Sequence, residues 1–82
     1  MNKKLKRTRD AIFEHPTRSD VIWADVEKLF HHYGAQLSEG RGSRVRVYLN
    51  GEIAVFHRPH PERVTSKANL KSAKRFLETA NV

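Results

Sequence analysis

The 82-residue sequence has no cysteine, so it can form neither a disulfide nor a zinc–thiolate site. No apolar run approaches the length of a signal-peptide core or of a membrane-spanning helix. The chain is also too short for more than one hydrophobic core of ordinary size. These absences predict a small protein of a reducing compartment, and we expect it to be cytoplasmic and to have no membrane partner.

Acidic residues are scarce, since nine Asp and Glu stand against sixteen Lys and Arg. The formal net charge is +7 and the isoelectric point is about 10.3. Such a surplus favours a polyanionic partner, and nucleic acid is favoured over anionic lipid because no long amphipathic segment is present. An acidic protein partner is equally allowed by charge alone.

The dipeptide Asn50-Gly51 lies between two alternating apolar runs and predicts a type I′ hairpin turn, because both turn residues need a positive φ. With this turn, Leu49 faces Glu52 and Arg44 faces His57. One face of the hairpin should then be buried, namely Val45, Val47, Leu49, Ala54 and Phe56. The other should be open, with Arg44, Arg46, Tyr48, Ile53, Val55 and His57.

The open face combines two arginines, a tyrosine and a histidine, and the Gly-rich segment 40–43 leads into it. Backbone N–H groups of such a turn can hold an anion beside the arginines. A solvated sheet surface is the alternative interpretation. The clustering favours an anion-binding surface suited to RNA.

Helices are predicted on both sides of the hairpin. A basic arm over residues 1–18 should contain a short helix that ends before Pro16 and remains solvated. The apolar spacing from Ile22 to Tyr33 predicts an amphipathic helix, capped by Ser19 or Asp20 and ended by Gly34.

A strand over residues 35–38 should complete a three-stranded antiparallel sheet, and the segment 58–66 should be a loop. Residues 67–80 form the last predicted helix, with Thr65 or Ser66 as its cap. Its buried stripe is Leu70, Ala73, Phe76, Leu77 and Ala80, and its basic stripe is Lys67, Lys71, Lys74 and Arg75. The fold class is therefore α+β, with an extra N-terminal helix before a domain over residues 19–82.

This element order, with the segment GRGSRVRVYLNGEIAVFHRPHP at its centre, resembles the HicA family of bacterial toxins. Gly42-Ser43, the turn Arg58-Pro59-His60-Pro61 and the last helix carry the resemblance. It implies a fold like that of double-stranded-RNA-binding domains, ribosome-independent cleavage of mRNA without a cofactor, and inhibition by a HicB-like antitoxin.

The family pattern places a catalytic histidine at once, or one residue, after the Gly-Ser pair, whereas Arg44 and Val45 stand there in this sequence. The chain is therefore an inactive RNA binder, a toxin with another base, or a subfamily with another function. His57 faces Arg44 in the predicted register and could supply the imidazole, with His60 as the second histidine. We expect RNA contacts from Arg41, Ser43, Arg44, Arg46, Tyr48, Arg58, Lys67 and Lys71.

A metal site at His57 and His60 is disfavoured, because two histidines without a carboxylate make a poor ligand set. Three functions remain in competition. The leading one is a type II toxin that acts as a metal-independent mRNA endonuclease. The others are a non-catalytic RNA-binding module of the same fold and a basic protein-interaction domain.

Overall fold

A computed structural model describes residues 1–82 and shows an α+β fold with one three-stranded antiparallel sheet in the order β1-β2-β3. The sheet lies between α2 and α3 in the chain, and α1 precedes both. The elements are α1 Lys3–Phe13, α2 Trp23–His32, β1 Gln36–Glu39, β2 Arg44–Leu49, β3 Glu52–His57 and α3 Lys67–Thr79.

The hairpin has the register that its turn predicts. Asn50 and Gly51 have φ values of 51° and 82°, and Leu49 pairs with Glu52 directly beside them. At the other end Arg44 pairs with His57. Burial alternates strictly along β2, so the predicted division into a buried and an open face is confirmed.

The buried face of the sheet packs against α2 and α3 around a group of four aromatic rings. Phe56 of β3 lies 5.4 Å from Trp23, 5.6 Å from Phe30 and 6.2 Å from Phe76, measured between ring centroids. The predicted stripe of α3 is wholly buried, and Ser66 caps the helix by accepting a bond of 3.1 Å from the Asn69 N–H.

The start of α2 differs from the prediction. Ile22 is the N-cap residue and makes no side-chain capping bond, while Asp20 pairs with Arg18 at 2.6 Å. The segment before α2 instead pairs with the loop before α3, since the Thr65 N–H donates to the Val21 carbonyl at 2.7 Å. The predicted caps Ser19 and Asp20 are therefore wrong, because a tertiary backbone contact sets this helix boundary.

The N-terminal helix ends before Pro16 as expected, but it is not a solvated arm. Ala11 and Ile12 are buried in the same core cluster as the residues of α2 and α3. The Arg9 Nε donates to the Tyr33 hydroxyl at 3.1 Å, and its guanidinium lies 4.6 Å from the centre of the Phe13 ring. The apolar residues on one side of this basic helix therefore anchor it to the core.

The first strand is displaced by one residue from its prediction, because Ala35 is buried and its N–H completes the end of α2 by donating to the Phe30 carbonyl at 3.0 Å.

None of the helices combines the length and the apolar character needed to cross a bilayer.

Candidate nucleic-acid interface

A polar cleft of about 560 Å³ opens where β3 ends. Its walls come from the end of β3, the loop that follows, and the first turn of α3. His57, His60 and Lys67 all line it, and only one of its twelve lining residues is hydrophobic. The structure therefore brings both predicted histidines and one predicted lysine into a single concave site.

His57 lies at the corner where this cleft meets the open face of the sheet. The Arg58 N–H donates to the Ser43 carbonyl at 2.8 Å, so the adjacent pair of Arg44 and His57 is of the non-hydrogen-bonded type. Side chains approach most closely in such pairs. The His57 carbonyl also accepts a bond of 2.9 Å from the Asn69 side chain, which fastens the end of β3 to α3.

Arg58 follows His57 and is held by two carboxylates. Its Nε donates to Glu27 at 2.6 Å and its Nη1 donates to Glu39 at 2.6 Å. These bonds raise the pKa of the guanidinium above its ordinary value, with the bond to Glu27 as the main cause. The Trp23 indole N–H donates to Glu27 as well.

The ion pairs of Arg58 connect the segment carrying the two histidines to α2 and to the edge strand β1. Because two carboxylates already neutralise it, the guanidinium is poorly placed to attract a phosphate. No sequence pattern indicates these partners, which lie 31 and 19 residues away along the chain. We therefore regard Arg58 as a positioning residue.

The remaining predicted RNA contacts fall into three places. Arg44, Arg46 and Tyr48 project from the open sheet face, beside the residues Ile53 and Val55, which are 60% and 55% exposed. Arg41 and Ser43 are exposed in the turn before β2, and Ser43 borders a shallow depression that His60 also lines. Lys71 lies one helical turn beyond Lys67, outside the first cleft.

Apart from Arg58, the cations of the sheet face and the first cleft lack carboxylate partners. All salt bridges within 4.0 Å involve Lys4, Arg18 or Arg58. Arg44, Arg46 and Lys67 are consequently available to an external anion. No three His, Asp or Glu side chains are grouped as they would be around a metal ion.

The comparison with family models settles the relationship of this chain. The model described as HicA toxin of bacterial toxin-antitoxin matches residues 23–82. The chain belongs to the HicA toxin family. Among curated proteins and among solved structures, nothing matches significantly. The part matched as HicA runs from the start of α2 to Val82 and leaves α1 outside.

The two positions after Gly42-Ser43, where the HicA family pattern has its histidine, differ in exposure. Val45 is completely buried, so its position cannot present a side chain to a substrate. Arg44 is exposed on the open face, and its neighbour across the hairpin is His57. The imidazole of His57 therefore lies on the adjacent strand, beside the position at which the family pattern has its histidine.

Proposed function

We propose that this HicA-family protein is a toxin that binds mRNA and cleaves it without a cofactor, using His57 and His60 to exchange protons. The observation that carries the proposal is that both histidines line one open polar cleft together with Lys67. Imidazole is the side chain best suited to give and take protons near neutral pH. We place this activity in the cytoplasm, where mRNA is found.

The proposed reaction is an internal transfer at one phosphate of the RNA. One histidine takes the proton of the 2′-hydroxyl, the 2′-oxygen forms a bond to phosphorus, and the bond to the 5′-oxygen breaks. The other histidine, as imidazolium, gives a proton to that 5′-oxygen, which leaves a 2′,3′-cyclic phosphate. Arg44 and Lys67 would stabilise the charge that develops on the phosphoryl oxygens.

The open sheet face has a role of its own in the proposal. Arg41, Ser43 and Arg46 would contact the RNA backbone, and the half-exposed ring of Tyr48 offers a surface on which a base can stack. Lys71 would extend these contacts along α3. The role of Arg58 is to hold the segment with the two histidines in place through Glu27 and Glu39.

A HicB-like antitoxin is the proposed protein partner, and the same sheet face is suited to it. Tyr48, Ile53 and Val55 form an exposed apolar group flanked by Arg44 and Arg46. A partner segment with acidic and apolar side chains would match this face in charge and in character. Such a partner would block access of RNA to the arginines.

The decisive experiment measures RNA cleavage, RNA binding and bacterial growth for His57→Ala. We expect cleavage and growth inhibition to be lost while RNA affinity stays within about threefold, because a general base acts on the chemical step. His60→Ala should reduce cleavage less. His31→Ala is the matched control, since His31 is exposed on α2 and does not line the first cleft.

An RNA-binding module without catalysis is the second candidate, and Arg44 in the place of the motif histidine favours it. A wild-type protein that binds RNA but neither cleaves it nor slows growth would establish this candidate. Cleavage that persists in the His57→Ala variant would show that the protein is an enzyme but that His57 is not its general base. His60→Ala would then be tested for complete loss of cleavage.

A further inference from the structure

A second cleft, of about 300 Å³, lies between α3 and the end of α1. The first wall is formed by α3, which contributes Lys71, Lys74 and Arg75. The opposite wall is formed by Ile12, His15 and Thr17, at and beyond the end of α1. This wall lies outside the region that matches the HicA family model, so family membership assigns nothing to this half of the cleft.

The charge of the second cleft is positive and unsatisfied. Lys71, Lys74 and Arg75 form no ion pair within 4.0 Å. Of the two carboxylates in the lining, Glu14 lies 3.5 Å from Arg18, which Asp20 binds more closely at 2.6 Å, and Glu78 has no ion-pair partner. The three cations therefore outnumber the two carboxylates of the lining.

The two clefts are joined by one row of side chains along α3. Lys67 lines the first cleft, and Lys71 and Arg75 line the second. Residues four apart lie on the same face of a helix, and each step of four advances about 6 Å along its axis. The backbone of a few nucleotides can span the distance from the first cleft to the second.

We propose that the second cleft is a phosphate-binding subsite for the RNA strand whose cleaved bond lies in the first cleft. The proposal rests on the RNA binding proposed above and adds a second place of contact. Lysine and arginine contacts to phosphate position a strand without reading its bases. The subsite therefore makes affinity depend on RNA length and not on the sequence at that end of the strand.

The test compares two double variants that remove the same charge. Lys74→Ala with Arg75→Ala empties the second cleft of two cations, whereas Lys3→Ala with Lys6→Ala removes two exposed lysines of α1 that line neither cleft. Fluorescence anisotropy would measure the affinity of each for RNAs of about 4 and about 12 nucleotides at several salt concentrations. Circular dichroism would verify that each variant is folded.

We expect the longer RNA to bind the wild type more tightly than the short one, and this gain to be lost in the Lys74 and Arg75 variant. Its affinity for the longer RNA should fall at least about tenfold, and its salt slope by about two. The control should remain within about threefold of the wild type. Glu78→Gln should strengthen binding of the longer RNA a few-fold, because one of the two opposing carboxylates is removed.

Equal effects of the two double variants on RNA affinity would refute the subsite without refuting RNA binding. An acidic protein would then be the expected partner of the second cleft. A wild type that binds neither RNA at low salt would refute the proposed function and the subsite together. The two failures are therefore distinguishable by the behaviour of the wild type.

Discussion

The two faces of the hairpin differ in how completely their surroundings explain them. The side chains of the buried face belong to the hydrophobic core or pack against it, and Phe56 alone is in contact with three other aromatic rings. On the open face Arg44 and Arg46 have no ion-pair partner, and Ile53 and Val55 remain more than half exposed. Packing within the chain therefore explains the composition of one face, whereas no contact within the chain explains that of the other.

The largest expected effect comes from the buried face. Phe56→Ala should lower the free energy of unfolding by about 3–5 kcal/mol, because it opens a cavity among the aromatic rings. That is a large part of the stability of a small domain. Chemical denaturation followed by circular dichroism measures it.

Val55→Ala is the matched control for Phe56, because Val55 is the preceding residue and points to the other side of the sheet. It should change the free energy of unfolding by no more than about 0.5 kcal/mol. Equal losses for the two variants would show that the open face is covered in the folded protein and would end the contrast between the faces.

The two carboxylates that bind Arg58, at the end of the hairpin, differ in how far they are buried. Glu27 is 19% exposed and also accepts the Trp23 N–H, whereas Glu39 is 72% exposed. Glu27→Ala should therefore cost about 2 kcal/mol of stability and Glu39→Ala less than about 1 kcal/mol. Thermal or chemical unfolding of both variants tests the order, and a larger loss for Glu39→Ala would contradict it.

The smallest effect on stability, and a specific effect on binding, is expected at Arg46. Arg46→Ala should leave the unfolding midpoint nearly unchanged while lowering the salt slope of RNA affinity by about one, since one phosphate contact is lost. Lys28→Ala removes the same charge from the exposed side of α2 and serves as the control. Identical slopes for both variants would show that RNA does not lie on the open face.

The sequence was sufficient to predict the elements whose determinants are local. The asparagine–glycine turn determined the register, the spacing of apolar residues in α3 identified its buried stripe, and one of the two predicted caps, Ser66, is the N-cap residue. The same register correctly placed Arg44 beside His57. Each of these features depends on residues only a few positions apart.

Apart from the one-residue displacement of β1, the errors involve residues that are distant in the chain. The boundary of α2 depends on backbone bonds between residues 21–23 and 63–65, and the partners of Arg58 come from α2 and β1. The packing of α1 depends on Ala11 and Ile12 meeting a core that is formed mostly by later residues. Periodicity within a segment carries no information about such contacts.

Asn50 shows how a small protein places two requirements on a single position. Its backbone supplies a positive φ for the turn, and its side-chain Nδ2 donates to the Ala80 carbonyl at 2.9 Å, where α3 ends. Aspartate and glycine also favour the type I′ turn, but neither side chain can donate that bond. Of these three residues, asparagine alone also donates a hydrogen bond to the end of α3. This exposed position should therefore tolerate fewer substitutions than its exposure suggests.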